Sequence, residues 1–217
     1  MLDSSVIQNI SKASSDKKHS ALEKIRKSNT VCQACNIKGD YSNYNAVPGY
    51  GNDNAEIMLI GEAPGKDEAE QGIPFVGQAG KMLNWAIAEA GLDREELYLH
   101  NILSCRPLKN KFPEGHEGIL VCRKWLQLEV SIIKPKVIVA IGKMAYESLL
   151  NLRRTKITKE RGTWQIWEMD DLGHRVWFAP TLHPSYCMRQ RNMGDETAAK
   201  QLVEDLSNAK IMVDTDI

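Results

Sequence analysis

Residues 57–80 read IMLIGEAPGKDEAEQGIPFVGQAG, and the rest of the chain is organised around them. The apolar run from Ile57 to Ile60 breaks at Gly61, passes through an acidic loop, and leads into a helical pattern that starts near Ala79. That order predicts a strand, a functional loop and then a helix. Gly61, Gly65, Gly72 and Gly77, with Pro64 and Pro74, give the loop a fixed path and let its backbone approach a ligand. A Gly-rich connector without a ligand is the plainer alternative. Against it stand a carboxylate at Glu62, just past the strand end, and an aromatic ring at Phe75. In open α/β sheets, ligands bind outside the carboxyl ends of the strands.

Outward from this stretch, strand and helix patterns alternate. Met82, Leu83, Trp85, Ala86, Ile87 and Ala90 form a helix that stops at Gly91, and Leu97 to Ile102 reads as a second strand with Asn101 near its carboxyl end. After the basic loop SCRPLKNKFP, the residues Ile119, Cys122, Leu126, Val130 and Ile133 recur at helical spacing until Pro135 closes the pattern. Val137 to Ile141 is a buried strand ending at Gly142, followed by a helix from Met144 to Leu150. Such alternation implies a parallel sheet with right-handed crossovers. Residues 163–167 and 175–179 form a hairpin around the turn at 169–173, which leads into the last strand. That strand runs into Thr181-Leu182-His183-Pro184-Ser185-Tyr186, which again puts polar residues after a strand end. A helix from Ala198 to Ala209 and an acidic tail follow, with no repeats and no low-complexity tract.

Residues 1–30 are polar and lysine-rich, with apolar positions that suit one or two amphipathic helices. They are read as an N-terminal helical extension to a domain spanning 31–217. The first residues lack the basic start, apolar core and cleavage site of a signal peptide, and no stretch approaches the roughly 18 apolar residues of a membrane span. A cytoplasmic protein with no membrane partner is the expectation.

The 28 basic and 28 acidic residues balance, so net charge neither argues for nucleic acid nor excludes it. Distribution says more. Arg106, Lys109 and Lys111 form one basic run, residues 153–161 a second, and Arg189 with Arg191 a third. If these converged on one cleft they would make a phosphate-binding rim.

Cys32 and Cys35 form a CxxC pair, and Cys105 and Cys122 stand further on with sixteen residues between them. No strand pattern precedes Cys32, which counts against a thioredoxin-like site. Structural zinc sites show two close pairs, whereas the second pair here is spread, and four thiolates also suit a [4Fe-4S] cluster. Spacing alone leaves iron-sulfur about level with unligated cysteines and zinc taken together. Cys187 stands apart.

Taken in order, GEAPGKDEAEQGIPFVGQAG, the asparagine four residues before Cys105-Arg106-Pro107, the strand VIVAIG and the terminal HPSY resemble the motifs of the family 4 uracil-DNA glycosylases. The resemblance covers roughly Cys32 to Arg191. It implies a three-layer α/β/α fold with a central four-stranded parallel sheet, and a monofunctional glycosylase that acts as a monomer on DNA containing uracil. It further implies a structural [4Fe-4S] cluster held by Cys32, Cys35, Cys105 and Cys122.

Carried over by position, Glu62 positions or activates the attacking water, and His183 stabilises charge on the uracil O2. Phe75 stacks on the flipped base, Asn101 reads its Watson-Crick edge, and Gly61 completes the base site. Pro64, Gly65, Arg106, Ser185 and Arg189 are the expected DNA contacts. This chain departs from the family pattern at Glu68-Ala69 and at Arg106 to Lys111, both at the pocket mouth, where base choice is made. It lacks the RRIH-like insertion of covalently trapping relatives, so no stable adduct is expected. A glycosylase for another modified pyrimidine, in phage DNA or in defence against phage, and a non-catalytic DNA-binding module are the alternatives.

Overall fold

The computed structural model describes residues 15–37, 44–169 and 172–217. Residues 1–14, and part of the turn at 169–173, lie outside the described residues. Helix α1 is Ser15–Thr30, within the expected extension. Its Leu22 and Ile25 are buried in one apolar cluster with residues of the sheet.

Six strands make one sheet: β1 Tyr50–Gly51, β2 Ile57–Gly61, β3 Tyr98–Asn101, β4 Val137–Ile141, β5 Gln165–Glu168 and β6 Arg175–Thr181. The sheet order is β1-β3-β2-β4-β6-β5. The inner four strands pair in parallel, which matches the expected four-stranded parallel core. β1 and β5 add antiparallel edges. The hairpin of β5 and β6 was legible in the sequence. β1 was not, because two residues carry no period.

The remaining helices are α2 Lys66–Gln71, α3 Gln78–Glu89, α4 Glu117–Ile133, α5 Lys143–Leu150, α6 Ile157–Glu160, α7 Pro184–Asn192 and α8 Thr197–Val213. Alternate residues of each inner strand face opposite layers. Leu59 and Val139 pack with α3 and α8, while Met58, Ile60 and Ile138 pack with α1, α4 and α5. Both faces are covered, which explains why β2 and β4 read as unbroken apolar runs.

Two helices correct the sequence reading. The loop after β2 contains α2, started at Gly65 and ended by Gly72, which adopts a left-handed φ of 73°. The segment after β6 turns directly into α7, where His183 is the N-cap and Pro184 occupies the first turn. Proline is preorganised for that position, so His183-Pro184 was a helix-start signal.

The topology also locates a crevice. From β2 the chain moves to β3 on one side, then returns past β2 to β4 on the other. Ligands of doubly wound sheets bind where the strand order reverses in this way.

Candidate active site

At the carboxyl ends of β2, β3, β4 and β6 lies a cavity of about 570 Å3. Glu62, Phe75, Asn101 and His183 all line it. They come from sequence positions far apart and meet because parallel strands end on the same side. Glu62 directly follows β2, Asn101 is the last residue of β3, and His183 is two residues beyond β6.

Phe75 is held in an unusual backbone state, with φ at 57°. Such a conformation costs an aromatic residue on the order of 1–3 kcal/mol and persists only where the surroundings enforce it. Glu68 supplies part of the enforcement. Its buried carboxylate accepts from the backbone N–H of Val76 (3.1 Å) and Gly77 (2.8 Å) through one oxygen and from Gly65 (3.0 Å) through the other. The two arms of the loop are thus stapled across the pocket mouth. Arg94 adds a hydrogen bond from Nη2 to the Pro74 carbonyl at 2.9 Å.

Gly61 does not line the cavity but makes its wall possible. A Cβ there would fall 2.3 Å from Phe75 Cζ and 2.5 Å from Asn101 Oδ1. The sequence reading placed Gly61 with the base-binding residues, and its position is behind the ring and the amide rather than against the void. Gly142, which that reading named only as a strand end, does the same for His183: its Cβ would fall 2.8 Å from His183 Cβ.

His183 Nδ1 accepts the Ser185 backbone N–H at 3.1 Å, so the proton of the neutral ring sits on Nε2. Burial, helped by the charge of Arg189, pulls its pKa down to about 4. The ring is therefore a neutral hydrogen-bond donor at physiological pH. Burial also pushes the Glu62 carboxyl above its ordinary value.

Of the expected DNA contacts, Pro64, Gly65, Ser185 and Arg189 line the cavity. Arg106 does not; its Nε donates to Asn110 Oδ1 at 2.8 Å, and it is Asn110 that reaches the lining. Lys66 and Lys143, both exposed and both on the lining, were missed. Lys143 was detectable, since it follows a strand end as Glu62 does. The second basic run does not join the rim through Arg161, which turns inward to Asp205 and Glu204.

The cysteines stand apart from this cavity. Cys105 and Cys122 are buried together with Ile37, Ala46 and Leu103, and Cys35 packs against them. Gly118 leaves room for Cys35, whose Sγ would lie 3.0 Å from a Cβ at that position. Burial, with the nearby Cys35 and Cys32 contributing, pushes the Cys122 thiol up to about 11, and its Sγ accepts the Ser104 N–H at 3.5 Å. Among the described residues no three such donors converge tightly enough for one metal ion. A single ion needs every donor at one bond length, whereas a four-iron cube meets each thiolate at a separate corner. Four thiolates are the donor set that a [4Fe-4S] cluster takes. Cys187 is buried in the other apolar layer.

Among the described residues no helix is long and apolar enough to cross a membrane.

A type-4 uracil-DNA glycosylase of Archaeoglobus fulgidus is 37% identical over 168 residues, covering 76% of this chain and 82% of the relative. One from Thermotoga maritima is 36% identical over 84% of this chain and 89% of its own length. One from Saccharolobus solfataricus is 40% identical over 71% of each. The sequence profile of the uracil DNA glycosylase superfamily matches residues 48–207, which include the cavity and every residue that builds it. The chain belongs to the uracil DNA glycosylase superfamily, on its type-4 branch.

Proposed function

We propose that this chain is a uracil-DNA glycosylase that hydrolyses the N-glycosidic bond of a flipped deoxyuridine and leaves an abasic site for base excision repair. The observation that carries the proposal is the convergence of Glu62, Phe75, Asn101 and a neutral His183 on one cavity.

A base inside a duplex is out of reach, so the nucleotide must leave the stack or come from a single strand. Exposed Lys66, Lys143 and Arg189 on the lining offer cations to the flanking phosphates, with Pro64, Gly65 and Ser185 at the same mouth and Arg106 behind Asn110. Inside, Phe75 provides a ring for stacking. The Asn101 amide donates to uracil O4 and accepts from N3–H, a pattern that cytosine presents in reverse.

Bond cleavage leaves positive charge on the sugar and negative charge on the base. His183 Nε2–H is a fixed donor for the growing charge on O2, with no proton to lose beforehand. Glu62, its carboxyl raised by desolvation, orients the water and in its ionised form favours the cationic sugar. Cys32, Cys35, Cys105 and Cys122 would hold a [4Fe-4S] cluster, which when bound ties the loop before β1 to α4 and performs no step on the substrate. The enzyme works as a monomer in the cytoplasm.

The test is release of uracil from a labelled oligonucleotide carrying one uracil, with His183→Ala and Asn101→Ala beside the wild type. Cleavage after alkali by the wild type, falling about 100-fold or more in each variant, is expected. Intact substrate with iron-loaded wild-type protein refutes the proposal.

A further inference from the structure

Behind Asn101, on the opposite face of β3, lie polar side chains that the proposed chemistry does not use. His100 and Glu129 are each 0% exposed, a degree of burial that charged groups seldom reach. His100 Nδ1 lies 2.5 Å from the backbone oxygen of Asn101. A carbonyl only accepts, so that nitrogen carries the proton. His100 Nε2 lies 3.3 Å from Glu129 Oε2, off the line of a hydrogen bond. Tyr98 donates its hydroxyl to the same carboxylate oxygen at 2.8 Å.

The set continues into α1. Arg26 donates to the Tyr98 hydroxyl at 3.3 Å, lies over the Tyr98 ring, and reaches Asp53 at 2.6 Å. Gly49 makes room for it all, since a Cβ there would fall 2.0 Å from Glu129 Oε2.

This arrangement is costly. Among the described residues, His100 Nε2 and Glu129 Oε1 are buried without a hydrogen-bond partner. A well-packed apolar pair would avoid both losses. Violations of this kind concentrate where a side chain has a task. Here the task is visible in the backbone. The peptide that joins Asn101 to Ile102 is gripped on both edges: its N–H donates to the Gly61 carbonyl at 2.8 Å, and its oxygen accepts from His100. Fixing that peptide plane from both edges fixes the direction of the Asn101 side chain at its Cα, at the last residue of β3.

We infer that His100 and Glu129 are positioning residues for the Asn101 amide, with Tyr98, Arg26 and Asp53 stiffening them from α1. The inference rests on Asn101 reading a pyrimidine edge. It makes helix α1 part of base recognition, although no residue of α1 lines the cavity.

The experiment compares wild type with H100L/E129M, H100N/E129M and E129Q. The readouts are inhibition of cleavage by free uracil, kcat and KM on a uracil oligonucleotide, the salt slope of DNA binding, and a thermal melt. H100L/E129M removes the orphaned Nε2 and Oε1 but takes the acceptor from the Tyr98 hydroxyl, so it is expected to stay folded and to melt a few degrees below the wild type. Its inhibition constant for uracil is expected to rise about tenfold, the worth of one well-placed hydrogen bond. Asparagine at 100 puts an amide N–H close to where Nδ1 stands, so H100N/E129M is expected to recover to within about threefold of wild type. The salt slope, set by phosphate contacts, is expected to stay unchanged in all.

E129Q keeps the shape and the histidine cap while removing the charge, and it is expected to weaken uracil inhibition by about threefold. It supplies the answer even where the double variants fold poorly. Folded variants that all bind uracil like wild type would overturn the positioning role while leaving the glycosylase reading intact. A wild type that neither cleaves the oligonucleotide nor binds uracil would overturn the glycosylase reading itself.

Discussion

Substituting Gly61→Ala tests whether the base site is built as tightly as the structure shows. The φ of Gly61 is not in the left-handed region, so alanine adds a methyl group without backbone strain. That methyl would stand 2.3 Å from Phe75 Cζ and 2.5 Å from Asn101 Oδ1. Carbon atoms settle about 3.5 Å apart or more, so the ring must retreat by roughly 1.2 Å or the strand must bend. The Phe75 ring cannot swing freely, because its backbone is pinned by Glu68 and packed against Gly80, where a Cβ would fall 2.0 Å from the Phe75 oxygen. A misplacement of about 1 Å at a reacting centre costs on the order of 100-fold. Overpacking of this size costs about 1–3 kcal/mol of stability. Single-turnover uracil release on a single-stranded oligonucleotide is the assay, with urea unfolding in parallel. A 100-fold loss of rate in a protein that remains folded at 25 °C is expected. Release within about threefold of wild type would refute the claim that Phe75 and Asn101 are fixed against each other across Gly61.

The acid side of the pH profile should follow Glu62: its carboxyl is raised by burial, so activity falls as pH drops through a value above the ordinary 4.5, and Glu62→Gln abolishes that limb. Between 4.5 and the raised value the native state holds the extra proton, so the Glu62 contribution to stability moves oppositely and declines as pH rises. His183 has the reverse linkage: from about 4 to 6.5 the unfolded chain holds the extra proton, so stability rises with pH there. No histidine limb in activity near 6.5 is expected, and finding one that His183→Ala removes would contradict the neutral ring. Asp205→Asn should lower stability by about 3 kcal/mol in urea titration, because the buried carboxylate accepts from Thr181 and from Arg161 Nε at 2.9 Å and its loss leaves the guanidinium only exposed Glu204 and the Gln201 carbonyl; a change under about 1 kcal/mol would show the pair to be solvated. Protein purified with the proposed cluster should be brown and carry about four irons per chain; Cys122→Ser should lose both signatures, whereas Cys187→Ala, whose thiol donates to the Ala198 carbonyl in the other layer, should keep them.

Much of this protein was legible in its sequence because the signals were local. A parallel strand buried on both faces must be apolar throughout, and Ile57–Gly61 and Val137–Ile141 read that way before any partner is known. A polar residue just past such a strand stands at the carboxyl edge of the sheet, which is why Glu62, Asn101 and His183 could be named together. Lys143 obeys the same rule and was overlooked only because it is a lysine among many.

Other features had no local signal. α2 spans six residues, too few to show a helical period, and is marked only by the glycines at its ends. Glu68 stood out in the sequence only as part of a departure from the family pattern, and only the closed loop brings three N–H groups to it. Arg161 belonged to a basic run that suggested phosphate, yet folding delivers Asp205 to it from 44 residues away. His100 and Glu129 are 29 positions apart, in a strand and a helix, and nothing in the sequence pairs them. Sequence period reports which face a residue occupies, because that depends on the neighbouring bonds of its own chain. Which side chain meets it on that face depends on how layers pack, and that is settled only when the whole core closes.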